Sequence, residues 1–167
     1  MNIAYTVIEA PPGPLFVAET RQGLIHVSFG PEGLDHLTAF TRRWFPESRL
    51  LPSVVDAASQ IQEYLEGKRK IFDLALDVRG TDFQKETWQA LREIPYGRTM
   101  TYGEVARSIG RLKAARAVGR ACGANPIGVV IPCHRVLGSG GQLTGFGGGL
   151  DWKRWLLDLE GERVTLR

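Results

Sequence analysis

Residues 96–126 read YGRTMTYGEVARSIGRLKAARAVGRACGANP. In the first half Val105, Ala106 and Ile109 make the inward face of a short helix that Gly110 closes. A three-residue turn, Gly110-Arg111-Leu112, leads into a second helical pattern. There Ala114, Ala117, Val118 and Ala121 fall at i, i+3, i+4 and i+7 and form an apolar face. Lys113, Arg116 and Arg120 lie on another side, flanked by Ala115 and Gly119. Two helices joined by a short glycine-containing turn have helix-turn-helix dimensions. Such a motif sets its second helix against DNA. Small residues beside an arginine let the backbone approach a narrow groove while the guanidinium reaches onward. Spacing alone leaves a second possibility, a tightly packed helical hairpin with solvated arginines.

Upstream, Thr81 and Gln84 fit a capping box. Phe83, Thr87, Ala90, Leu91 and Ile94 make one face of the helix it opens, which Pro95 ends. Residues 1–78 have a different character. IAYTVIEA, PLFVAET and GLIHVSFG are short β-branched and aromatic runs punctuated by Pro11, Pro12, Gly13, Pro14 and Gly23, the pattern of an antiparallel meander. A helix with Leu34, Leu37 and Phe40 on its stripe follows. Another spans Asp56 to Glu66, with Asp56 as its cap, Ile61 and Leu65 inward, and Gly67 as its stop. KRKIFDLALDV is then a connector holding one further strand. The expected architecture is α/β of the α+β kind. Residues 1–78 form a small support domain with an antiparallel sheet and helices, and residues 79–167 a mostly helical domain carrying the winged or helix-turn-helix motif.

Downstream lies VVIPCHRVLGSGG, residues 129–141. Cys133 stands directly before His134, between an apolar run and a glycine-rich loop. A thiolate is the nucleophile, so a working cysteine needs a base or positive surroundings. Neighbours in a strand point to opposite faces. Pro132 interrupts the strand, however, and lets the backbone turn. The competing reading is an inert core thiol, which suits Cys122 beside the Ala117/Ala121 face. The last helix starts at a capping Asp151, buries Trp152, Trp155, Leu156 and Leu159, and stops at Gly161. Glu160 falls in its last turn, where the helix dipole disfavours a carboxylate. On that fact alone an exposed surface glutamate is the better reading.

The 167 residues suffice for one domain or two small ones, and at 43% hydrophobic they can bury a core. No apolar run approaches the ~20 residues of a membrane span, and the first residues lack a signal core. A cytoplasmic protein without membrane attachment is expected. Two cysteines make a poor disulfide framework, and three histidines form no cluster at zinc-ligand spacing, so neither metal nor cofactor is expected. The net charge of +3 is unevenly spread. Residues 1–78 carry 7 Lys/Arg and 10 Asp/Glu, hence −3, while residues 79–167 carry 14 and 8, hence +6. A basic half suits a polyanion surface, although charge runs are often merely solvated faces.

ARAVGRACGANP at 115–126, IPCHRV at 131–136 and GSGGQLTGFGGG at 138–149 resemble the O6-alkylguanine-DNA alkyltransferases. The likeness is strong over residues 80–161 and general in layout before that. It implies a repair protein that rotates the damaged nucleotide out of duplex DNA and moves its alkyl group irreversibly onto Cys133. The protein is consumed in one turnover. O6-alkylguanine is the implied substrate, with O4-alkylthymine as an extension. His134 would be the base, acting through a bridging water and oriented by Glu160. Asn125 would hold the turn before the acceptor. Tyr102 would protonate the leaving guanine. Arg116 would fill the space of the extruded base, with Ala114, Ala115, Ala117, Gly119 and Ser139 also on the DNA side. Val136, Phe146 and Gly147 would shape the base pocket. The partner would be double-stranded DNA bound by a monomer through its minor groove. Some relatives bind zinc through N-terminal cysteines, which residues 1–78 lack. Some carry tyrosine where Phe146 stands. The rival readings are a lesion binder without transfer, a Cys-His hydrolase and a sequence-specific regulator.

Overall fold

The computed structural model describes residues 1–161. The chain divides into two compact units, Met1–Arg79 with Pro126–Gly128, and Gly80–Asn125 with the chain from Val129 on. The expected division at 78/79 does not include the excursion of residues 126–128 into the first unit. There Ile127 bridges Val27 in parallel, and Val27 N–H donates to the Pro126 carbonyl at 2.9 Å.

The first unit is built on the expected meander. β1 (Asn2–Ala10), β2 (Gly13–Thr20) and β3 (Gly23–Phe29) pair antiparallel. A fourth strand, β4 (Arg49–Pro52), runs parallel to β1, giving the order β3-β2-β1-β4. The strand expected in KRKIFDLALDV is absent; an isolated bridge joins Leu24 to Leu76. Helix α1 (Gly33–Trp44) covers a core of Ile3, Ala18, Ile25, Leu37 and Phe45. Its inner face corrects the expected stripe, for Leu34 is exposed and Gly33 and Thr41 are buried. A Cβ on Gly33 would run into the Phe16 ring, so the helix closes onto β2 through this glycine.

Helix α2 (Ala57–Leu65) corrects the expected cap as well. Asp56 is already helical and caps nothing with its side chain. Glu19 of β2 reaches across, accepting from Asp56 N–H at 2.7 Å and Ala57 N–H at 3.4 Å. A carboxylate at this positive helix end serves both hydrogen bonding and dipole.

In the second unit α3 (Asp82–Arg92) has the capping box in full, Thr81 and Gln84 each accepting from the other's backbone N–H. Its buried residues are Thr87, Trp88 and Leu91. Trp88, outside the expected stripe, donates its indole N–H to the Ala121 carbonyl at 2.8 Å. This bond ties α3 to α5 (Ala115–Gly123), the second helix of the helix-turn-helix. The first, α4 (Tyr102–Ser108), is capped by Thr101 and followed by Gly110 at φ +74°. A short parallel pair, β5 (Met100–Thr101) with β6 (Val136–Leu137), flanks them.

The last helix, α6 (Leu150–Leu159), differs from expectation at both its start and its face. Gly149, at φ +90°, holds the cap position, and Asp151 lies inside the first turn without capping. Trp152, Lys153, Leu156 and Leu157 are buried, whereas Trp155 and Leu159 are half-buried.

Candidate active site

Cys133, His134 and Arg135 form one 3-10 turn, and the strand expected just before them is not formed, since residues 128–130 are themselves a turn. Two backbone features precede the 3-10 turn. Val129 adopts φ +71°, unusual for a β-branched residue, and Pro132 cannot donate to a ladder. The turn places adjacent side chains in different environments within one buried region: Cys133 is 7% exposed and His134 fully hidden.

His134 Nε2 lies 2.8 Å from Glu160 Oε2. Arg135 grips the same carboxylate with two parallel bonds, Nε to Oε1 and Nη2 to Oε2, both 2.9 Å. The backbone N–H of Gly97 adds a third donor to Oε1 at 3.1 Å. Arg135 is itself fixed by donating Nη1 to the Ile94 carbonyl at 2.7 Å. The expectation of a surface glutamate is therefore overturned: Glu160 is 7% exposed, held by opposite charge and one backbone donor against the helix dipole. Burying a charge requires such pairing. Burial lowers the affinity of His134 for a proton, and Glu160 opposes that effect. We take the imidazole as neutral at rest, since Arg135 already balances the carboxylate. It can accept a proton, and the imidazolium would have Glu160 beside it.

Asn125 directs one side-chain N–H to the Ile131 carbonyl at 2.9 Å and Nδ2 to Cys133 Sγ at 3.1 Å. A carbonyl can accept but not donate, so its presence fixes which end of the amide faces the sulfur. Burial pushes the Cys133 thiol up, and the Asn125 hydrogen bond and the charge of Lys153 pull it down. The sulfur is thus more covered than a thiol standing open to a purine would be. Cys122, also buried, is pushed up to about 12 by its burial.

Tyr102 opens α4, and its hydroxyl accepts from Thr144 Oγ1 at 3.1 Å. That bond leaves the phenol proton available for donation. Burial raises the phenol's pKa, so it stays protonated near neutrality. Beneath it Lys153, fully buried, donates to the carbonyls of Val136 at 2.6 Å and Thr144 at 2.9 Å. Its ammonium lies 5.9 Å from the Tyr102 ring centroid. Neither Lys153 nor Arg135 was singled out as a site residue from the sequence. A signal was present only for Arg135. Lys153 lies off the apolar stripe expected for the last helix, where a solvated lysine is ordinary, so the sequence does not mark it. Arg135 directly follows the histidine.

The remaining residues expected at the site from the sequence differ in exposure. Val136 is buried, Phe146 half-buried, and Gly147 exposed with open space where a Cβ would stand. Ser139 is exposed in a short 3-10 turn. On α5 Arg116 is exposed, Val118, Ala121 and Cys122 are buried, and Ala114, Ala115, Ala117 and Gly119 lie between these extremes. A Cβ on Gly119 would meet the Tyr102 ring at an ordinary 3.8 Å, so packing within the chain does not demand a glycine there.

A donor set for metal is not apparent: no group of three His, Cys, Asp or Glu side chains able to hold an ion occurs among the described residues. No helix among them is long and apolar enough to cross a membrane.

Residues 82–162 match the family model described as 6-O-methylguanine DNA methyltransferase, DNA binding domain. Residues 3–78 match its companion, the ribonuclease-like domain of the same methyltransferase. A methylated-DNA–protein-cysteine methyltransferase of Mycolicibacterium paratuberculosis is 56% identical over 95% of this chain and 92% of its own length. One of Methanosarcina barkeri is 47% identical over 93% and 96%. The crystal structure of the O6-methylguanine methyltransferase of Mycobacterium tuberculosis superposes with a TM-score of 0.83 at 41% identity, covering 99% of this chain and 96% of that one. A structure described as the same organism's OGT in complex with DNA gives 0.82 at 41%, covering 98% and 95%.

Proposed function

We propose, from the premise that this chain belongs to the 6-O-methylguanine DNA methyltransferase family, that it reverses O6-alkylguanine damage by taking the alkyl group onto Cys133. The observation that carries the assignment of roles is the anchored row Arg135–Glu160–His134, whose histidine follows Cys133 directly in the same buried 3-10 turn. A neutral histidine backed by a fixed carboxylate is the arrangement that draws a proton from a nucleophile.

The target oxygen lies inside the stacked duplex, so the nucleotide must rotate out, at about a few kcal/mol and less for a mispaired base. Arg116, exposed on α5, fills the vacated space and offsets part of that cost. Ala114, Ala115, Ala117, Gly119 and Ser139 allow a close approach through the minor groove, and phosphate contacts from the basic half add affinity independent of sequence. Val136, Phe146 and Gly147 receive the rotated base. His134 then takes the thiol proton through a bridging water. The Cys133 thiolate attacks the alkyl carbon, an S–C bond forms and the C–O6 bond breaks. Tyr102 gives its proton to the leaving guanine, neutralising the charge that develops there, and recovers one from the protonated relay. Asn125 keeps the sulfur in place and stabilises the thiolate. The thioether is not reversed by water or histidine, so each molecule acts once. Double-stranded DNA is the partner, and a monomer suffices. O4-alkylthymine, with the same alkylated exocyclic oxygen, is a second substrate.

The test uses duplex DNA with a labelled O6-methyl group. Cys133→Ala is expected to lose all label transfer and keep DNA binding; transfer by that variant would remove Cys133 from its role. Arg116→Ala is expected to lose far more activity on duplex than on the free modified base. Equal losses on the two would contradict the role given to Arg116.

A further inference from the structure

From Val105 to Leu150 the sequence contains no carboxylate side chain, while six basic residues fall in that span: Arg107, Arg111, Lys113, Arg116, Arg120 and Arg135. They are not equivalent. Arg135 is buried against Glu160, and Arg111 bonds Glu86 at 3.2 Å. Arg116 and Arg120 stand one turn apart on the exposed side of α5, opposite Val118, Ala121 and Cys122, and neither makes an ion pair among the described residues. Like charges at i and i+4 weaken a helix by about 0.2–0.5 kcal/mol. Nothing on this helix relieves the repulsion. Arg120 does gain from its place in the last turn, where the helix dipole favours a cation. That benefit is the structural alternative to a binding role.

We propose that Arg120 is a second DNA-contacting group, a phosphate clamp one turn beyond Arg116. This rests on the reading of α5 as the DNA-facing helix. Its next exposed neighbour on the same stripe is Gly123, so nothing bulky separates the guanidinium from an approaching backbone. The two arginines are offset by about 6 Å along the helix axis. With Arg116 occupying the place of an extruded base, a side chain one turn away comes to the wall of the groove, where the phosphates lie. The planar guanidinium fork matches phosphate oxygens in pairs. Contact with the phosphate also carries no sequence preference, which suits a protein that must act wherever a lesion arises.

The experiment measures equilibrium affinity of the full chain for undamaged and O6-methylguanine duplexes across salt. One lost phosphate contact lowers the slope of log affinity against log salt by about 0.9. Arg120→Gln is expected to show that decrease on both duplexes and in different flanking sequences. Its deficit relative to the unaltered protein then shrinks about threefold between about 50 and 200 mM salt. Arg120→Lys should keep the slope. Arg21→Gln, which removes an exposed arginine of the first unit, should leave it unchanged. An unaltered slope in Arg120→Gln, with only its melting temperature reduced, would overturn the proposal in favour of dipole compensation. So would an equal decrease in Arg21→Gln, which would mark a net-charge effect, or a loss confined to one flanking sequence. A protein whose unaltered form showed no salt-dependent binding would instead sink the DNA-facing reading of α5.

Discussion

His26 on β3 and His134 in the second unit are both buried, and they have opposite surroundings. His26 lies with its ring centroid 4.7 Å from that of Phe40, and neither ring nitrogen has a hydrogen-bond partner among the described residues. Burial, with His36 adding repulsion, lowers its pKa to about 4. His134 faces a carboxylate that an arginine and a backbone N–H hold rigidly. Burial alone makes an imidazole a neutral packing group. It takes an anchored anion to keep a buried imidazole ready to become a cation. The first unit uses Glu19 to cap α2, and the second gathers His134, Arg135 and Glu160 into one buried cluster next in sequence to Cys133.

Making His134 resemble His26 should have the largest effect. Glu160→Gln leaves the Arg135 guanidinium buried without a charge partner, and removing one member of a buried pair costs about 3–5 kcal/mol. Urea unfolding should show a loss of that size, and the alkyl-transfer rate of the folded fraction should also fall. A loss under about 1 kcal/mol would mean that the carboxylate is not the anchor of the site.

The next effect belongs to His26 and to acid. Its folded-state pKa of about 4 lies below the unfolded value of 6.5, so the unfolded chain binds the proton more readily. Stability from this residue is present in full above pH 6.5 and is lost as pH falls toward 4, by about 3 kcal/mol in all. His26→Leu should flatten the stability profile across that window. A profile that kept its slope would place the responsible group elsewhere.

Smaller effects separate structural from functional positions. Glu19→Ala should destabilise by about 1 kcal/mol through loss of the α2 cap. Asp56→Ala should do almost nothing, and the reverse order would restore Asp56 as the cap. Gly119→Ala should stabilise the protein by up to about 1 kcal/mol, because glycine inside a helix is unfavourable and a methyl group fits against Tyr102. Its affinity for duplex DNA should nevertheless drop. Unchanged affinity would remove Gly119 from the DNA-facing surface.

Local signals carried the sequence reading where structure is decided locally. The Thr81/Gln84 box, the meander and the two helices around Gly110 depend on residues within a few positions, and the chain forms each of them. Misreadings arose where a distant residue decides. Glu19 displaces Asp56 as a cap from 37 positions away. Glu160, read in isolation as a surface residue, is drawn inward by Arg135, 25 positions earlier. Strand β4 pairs in parallel with β1, a partnership without a hairpin signal. At the site, motif order pointed to Cys133, His134 and Asn125. It did not point to Lys153, since a buried lysine is satisfied by carbonyls that the sequence does not mark.

The peptide containing Cys133, isolated after the protein is mixed with an excess of O6-methylguanine duplex, tests the central claim most directly by its mass. A gain of one methyl group on that peptide, complete at one equivalent and absent from the Cys122 peptide, is the expected result. An unmodified Cys133 in protein that has bound the lesion, or methyl-free product accumulating over many turnovers, would contradict it.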